Sequence, residues 1–404
     1  MSGGYKGRRR KAWPVLAALV VVLGAAAALY FTGALGSLFP PRGNDDPPAI
    51  DPGQTNAENT ENTLPADNTE HTENTQPTQN TENTEPVEPV DPVEPEPYAR
   101  IEVPAGADQV RYDAVYRVGD TGYEMYTYVP SVGEKYAGAV TAAADELKGV
   151  ADVYAVTVPL SSGVTLPDDL QGGIFDDQHA AEESVRALMD ENVKWVGLYD
   201  TLMRHRTEYI YFRTDHHWSG LGAYYGYREF CRVKGIEPRE LADIRTEDFP
   251  GYLGSFYYDA GEVPELGANP DVVTAYYPDA QVTMTVTDQQ DRTATYDTVI
   301  CDESTAPAAY KYGAYIYGDN PFTVITNAAL DDGSACVVVK ESFGNAFVPF
   351  LADHYQTVYV IDYRYWGGDL TDFVREKGAR DLLFVNNLSA LRNNYLMGRL
   401  LGMV

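Results

Sequence analysis

The chain has 404 residues, 44% of them hydrophobic, a formal net charge of −30 and three cysteines. That apolar share excludes a wholly disordered protein and suffices for one large domain or two modest ones, while three cysteines are too few and too odd in number for a disulfide framework. Roughly −22 of the charge falls from Tyr98 onward, which repels a phosphate backbone and argues against nucleic acid as a partner.

Residues 1–12 form a basic tail with five Lys and Arg between Lys6 and Lys11. An apolar run over 13–39 follows, and its most hydrophobic stretch, Val15 to Phe31, is 17 residues long, about 25 Å as a helix. With its flanks this predicts a single-pass membrane anchor, the basic tail in the cytoplasm and the remainder outside. A cleaved signal peptide is the competing expectation, because Ala25 to Ala28 supplies small residues suited to processing. Residues 40–97 repeat Thr-Glu-Asn-Thr variants and pass into Pro-Val-Glu-Pro. They bury too little apolar surface to offset ordering and predict an extended, solvated linker.

Residues 98–404 are the expected extracellular domain, in which strand-like and helix-like segments alternate. Tyr123 to Pro130 reads as a strand, Tyr136 to Val150 as a helix and Val153 to Pro159 as a buried strand. Glu182 to Lys194 has helical spacing; Trp195 to Leu202 and Glu208 to Arg213 then have strand character, and Ser219 caps a helix running to about Lys234. Residues 235–305 break the rhythm and predict a β-rich insertion, with a hairpin of Val282 to Val286 and Thr293 to Val299. The rhythm resumes with strands at Cys336 to Lys340, Thr357 to Ile361 and Leu382 to Val385, and helices at Gly344 to His354 and Leu370 to Lys377. Cys231 and Cys336 fall in such runs and are expected to be buried thiols. The whole predicts an α/β domain with a mostly parallel sheet covered by helices on both faces, and ligands at the carboxyl ends of its strands.

Two segments carry chemistry. In Thr214-Asp-His-His-Trp, Asp215 lies two residues before His217; on extended backbone the two side chains point the same way, so the carboxylate can orient the imidazole as a general base. Ser342 stands where an apolar strand gives way to a helix, a place for a nucleophile among backbone N–H donors, with an N-cap as its ordinary alternative. Gly344 permits a tight turn there and Asn345 adds a side-chain donor. His216 is expected to face away from His217. Trp218 is either core or a platform for a sugar ring, and Arg213 and Arg364 either line the rim or pair with nearby acids. Gly318, Asp319 and Asn320 form a turn that could supply an oxyanion donor, although turns use these residues anyway. Asp-His-His also occurs in metal-dependent phosphoesterases, but the chain has no second histidine cluster, and adjacent histidines are expected to diverge.

Tyr211-Phe-Arg-Thr-Asp-His-His-Trp, Gly222-Ala-Tyr-Tyr, Lys340-Glu-Ser-Phe-Gly-Asn-Ala and Val360-Ile-Asp-Tyr-Arg together resemble the DHHW family of Gram-positive bacteria. That family is similar to the SGNH-hydrolase-like proteins that O-acetylate alginate, and the resemblance covers roughly Tyr98 to Leu388. It implies an SGNH-hydrolase-like (flavodoxin-like) fold and a triad of Asp215 as orienter, His217 as base and Ser342 as nucleophile. It further implies an O-acetyltransferase or esterase acting on a cell-surface polysaccharide without a cofactor, supplied by a membrane-bound O-acyltransferase partner. Glu341 stands where the alginate proteins tend to have Asp, and His216 where they have Thr. A surface protein that binds glycan without turnover, through 31 tyrosines and 4 tryptophans, is the second reading.

Overall fold

The computed structural model describes residues 97–404; the expected basic tail, apolar run and linker up to Glu96 lie outside the described residues. Among the described residues no helix is long and apolar enough to cross a membrane. Strands β1 (Gln109–Arg111), β2 (Val115–Val118) and β3 (Thr121–Glu124) form a small antiparallel sheet. Helix α1 (Pro130–Glu146) opens on a proline, whose fixed φ and missing N–H suit a first turn. It is followed by β4 (Asp152–Val158), α2 (Gln178–Arg186) and β5 (Val193–Gly197). In α3 (Gly220–Lys234), Ser219 caps the start by accepting the Gly222 N–H, and Gly235 ends it in the left-handed region at φ 79°. Then come β6 (Thr246–Tyr252) and β7 (Asp271–Tyr276), paired as a separate ribbon, and β8 (Val282–Thr287), β9 (Thr293–Tyr296), β10 (Phe322–Asn327), β11 (Ala335–Lys340), β12 (Thr357–Asp362), α4 (Leu370–Lys377), β13 (Asp381–Asn387) and α5 (Asn394–Leu401).

Eight strands make the main sheet in the order β5-β4-β13-β11-β12-β10-β8-β9. The first five are parallel, and the last three continue antiparallel. Every residue of β11 and β13 is buried. Successive side chains on a strand point to opposite faces, so both faces of the sheet are covered there, which is why these strands read as unbroken apolar runs. Helix α1 packs with α2, α4 and α5, and α3 packs on the turn that follows β11. Cys231 and Cys336 are buried free thiols.

Several expected elements are corrected. The strand placed at Tyr123 to Pro130 ends at Glu124, because Pro130 already begins α1 rather than Tyr136. The helix at Glu182 to Lys194 starts earlier, at Asp177's cap, and stops at Arg186; the strand at Trp195 to Leu202 stops at Gly197 and gives way to a helical turn, Tyr199–Arg204. Glu208 to Arg213 joins no sheet: Tyr211 makes only an isolated bridge, to Trp218. After Phe347 the helix begun at Gly344 tightens into a 3₁₀ turn, Val348–Asp353, at Pro349. The β8–β9 hairpin forms where expected, yet it is no appendage, since β8 pairs with β10 and widens the main sheet.

Candidate active site

The loop 213–217 is shaped by one buried carboxylate. Asp271, at the start of β7, accepts the Arg213 and Thr214 N–H groups at 3.1 and 2.7 Å and the Thr214 hydroxyl at 2.6 Å. All five residues of the loop therefore bend instead of extending, and the Tyr211–Trp218 bridge closes it at its base. Asp215 still meets His217, but through the bend: its Oδ1 accepts both the His217 backbone N–H at 3.0 Å and Nδ1 at 2.6 Å. Its Oδ2 accepts the Ser255 N–H at 2.8 Å. Gly254 is required beside it, because a Cβ there would overlap the Asp215 carboxyl.

Ser342 lies two residues beyond the carboxyl end of the central strand β11. Gly344 lets the chain turn sharply; a Cβ at that position would sit 2.5 Å from Lys340 Cβ. The Ser342 Oγ is 2.7 Å from His217 Nε2. An ionised carboxylate only accepts, so Nδ1 carries the proton towards Asp215 and Nε2 accepts from the serine hydroxyl. Three groups thus form one unbroken hydrogen-bonded path. Ser342 does not cap the helical turn, whose first residue has no side-chain cap.

Burial would raise the Asp215 carboxyl, but the two neighbouring imidazoles and the bonds from His217 and Ser255 outweigh it and hold the group well below the usual carboxylate range. For His217, burial and the adjacent His216 lower the pKa against the opposing pull of Asp215. The imidazole is consequently neutral near pH 7, able to take a proton. Tyr312 stacks on one face of His217 at 4.0 Å between centroids, and its hydroxyl donates to the Ser342 carbonyl at 3.0 Å.

His216 covers the other face at 3.8 Å, contrary to the expected divergence, because the bend brings neighbouring side chains together. Asp215, His216 and His217 offer ligand atoms all within 4.8 Å, a spacing that would suit a cation. In this structure those atoms are engaged elsewhere: Asp215 with His217, and His216 Nδ1 with the Ser255 hydroxyl at 2.7 Å.

The DHHW protein family matches residues 56–361, more than half of the chain. The chain belongs to the DHHW family. Among solved structures it is similar to a DHHW family protein from Eubacterium siraeum DSM 15702, with 27% identity and a TM-score of 0.68 over 73% of this chain and 98% of that one. Bacillus cereus PatB1, solved with a sulfonyl adduct, is 20% identical with a TM-score of 0.59, covering 72% of this chain and 98% of its own. A second PatB1 structure gives 21% identity and a TM-score of 0.58 over 72% and 99%. The fold is the SGNH-like α/β type. No curated protein matches the chain.

The tryptophan of this DHHW motif is core, not platform: Trp218 is fully buried, and its Nε1–H donates to the Phe343 carbonyl at 2.9 Å, tying the loop to the serine turn. Truncating a buried Trp costs about 3–5 kcal/mol. Arg213 points into the Asn269 and Pro270 carbonyls and lies 3.3 Å from Asp271, so it braces the loop rather than lining the rim. Arg364 is spent on Asp362 at 2.6 Å and Asp319 at 2.8 Å. Asn345 Nδ2 donates one of its two protons to Asp319 at 2.9 Å. The N–H donors expected around Ser342 are engaged too: Phe343 with the Glu341 carboxylate, Gly344 with the Glu341 carbonyl and Asn345 with the Ser342 carbonyl.

Asp319 is the residue that reading as a turn concealed. Three consecutive left-handed residues, Ile316, Tyr317 and Gly318 at φ 47°, 60° and 80°, deliver it to Lys340, Arg364 and Asn345. A β-branched residue in that region costs about 1–3 kcal/mol. Burial opposes its ionisation, but the two cations overcome that and hold its carboxyl far below the usual range. A left-handed Ile has no marker in sequence.

Proposed function

We propose that this DHHW protein transfers an acyl group through Ser342, onto or off a hydroxyl of a cell-surface polysaccharide. The observation that carries the reading is the continuous Asp215–His217–Ser342 path, with links of 2.6 and 2.7 Å. His217 Nε2 takes the Ser342 proton as Oγ bonds to the acyl carbon. The tetrahedral adduct then expels the donor alcohol, which leaves with the proton from His217. Asp215 stabilises the imidazolium between the two transfers. A sugar hydroxyl resolves the acyl-serine in an O-acetyltransferase and water resolves it in an esterase; neither route needs a cofactor. The resemblance to alginate-acetylating proteins supports acetyl as the group. The basic tail and apolar run support an anchored, extracellular domain at the cell membrane, fed by a membrane-bound O-acyltransferase partner.

The test is hydrolysis of p-nitrophenyl acetate together with fluorophosphonate labelling. Wild type should release p-nitrophenol and carry the label on Ser342, and Ser342→Ala should do neither. Equal turnover by both proteins would sink the proposal, and a glycan-binding protein without turnover would stay silent in each assay.

A further inference from the structure

His216 is not used by the proton path, yet it is fixed as firmly as the residues that are. Its Nδ1 is 2.7 Å from the Ser255 hydroxyl, its ring lies 3.8 Å over His217, and Phe343 and Phe256 flank it at 5.9 and 6.4 Å. Its side chain is 32% exposed, whereas that of His217 is 8% exposed. The Nε2 atom makes no hydrogen bond to the described residues and is not among their buried unpaired polar atoms, so it opens to solvent. A rigid imidazole is therefore presented with one nitrogen free at the side of the general base.

An acceptor that resolves acyl-Ser342 has to bring its oxygen within hydrogen-bond reach of His217 Nε2. Tyr312 closes one face of His217 and His216 the other, leaving an edge that His216 borders. From this geometry, and resting on the acyl-transfer reading, we propose that His216 Nε2 binds a hydroxyl of the incoming carbohydrate and favours it over water. The acceptor O–H then loses its proton to His217 as its oxygen bonds to the acyl carbon. The ester bond to Ser342 Oγ breaks, and the serine oxygen recovers that proton from His217. The acceptor class this suits is a neutral polyol that offers two adjacent hydroxyls, one to each imidazole.

The experiment reads product partition. The protein is acetylated from p-nitrophenyl acetate in the presence of cello-oligosaccharides and glycerol, and acetylated acceptor is measured against free acetate. Once the acetate released without protein is subtracted, both products arise from the same acyl-enzyme, so the ratio is blind to the speed of acylation and to the fraction of protein folded. His216→Ala should lower the ratio about tenfold, the worth of one well-placed hydrogen bond, and His216→Gln, which keeps a polar head, should restore part of it. An unchanged ratio in His216→Ala overturns the role of His216, as does a wild type that acylates but passes nothing to either acceptor. Mass spectrometry of the quenched protein separates the two ideas, because absence of acetyl-Ser342 in wild type removes the acyl-transfer reading itself.

Discussion

Tyr312 lies flat against His217, 15° from parallel, while its hydroxyl holds the carbonyl of Ser342. One side chain thereby touches both His217 and Ser342, which come from loops 125 residues apart.

Tyr312→Phe keeps the stack and loses the hydrogen bond, a loss of about 1 kcal/mol, or fivefold in kcat/KM for p-nitrophenyl acetate. Tyr312→Ala removes both and should cost at least tenfold more. Equal rates in all three proteins would show that the ring is only packing.

The lowered pKa of His217 fixes the pH profile. Activity needs the neutral imidazole, so kcat/KM should rise with pH and reach half its plateau below the ordinary histidine value of about 6.5. Asp215, His216, Asp319 and Tyr312 are the titratable groups facing the ring. Asp215→Asn should cost about 10³–10⁴-fold through the wrong tautomer. A midpoint above 7 would contradict the balance of burial and charge described here.

Lys340 is almost fully buried and shares Asp319 and Asp362 with Arg364. Asp319→Asn leaves two cations on one carboxylate directly beneath the Ser342 turn. Thermal unfolding should show a loss of about 1–2 kcal/mol, below the full cost of breaking a buried pair because Asp319 is partly exposed. Unaltered stability would mean that the knot is not under electrostatic tension.

Glu182, between β4 and β5, accepts the Thr157 hydroxyl and the Leu198 and Tyr199 N–H groups. Burial still pushes its carboxyl up to about 7. A raised folded pKa means that its contribution to stability is complete below the ordinary value near 4.5 and is lost as pH climbs through 7, by at most about 3 kcal/mol. Denaturant melts from pH 5 to 8 should slope downward in wild type and flatten in Glu182→Gln; parallel slopes would rule the effect out.

The sequence exposes what local patterns determine. Leu370–Lys377 is legible because Asp369 caps it, Gly378 ends it, and its apolar residues share a face. Ser342 is legible because β11 is apolar until Lys340 and the turn needs Gly344. Strand alternation and the observed bend both bring positions two apart together, so Asp215 meets His217 on either backbone, but only the bend also brings in His216. Tyr209 to Phe212 has genuine strand composition, yet Ser219 and His217 take its backbone partners. Asp271, Tyr312 and Asp319 were invisible as site residues because each arrives from a distant segment with nothing unusual in its neighbours.

Strand β13 is the last in the sequence and lies between β4 and β11. It is the piece that joins the half of the sheet leading to His217 with the half ending at Ser342. A polypeptide interrupted before Asp381 therefore lacks the strand that pairs with both β4 and β11, and the two parts of the sheet then meet only through contacts such as that of Trp218 with Phe343. The centre of the main sheet is thus completed by the strand nearest the chain's C-terminal end.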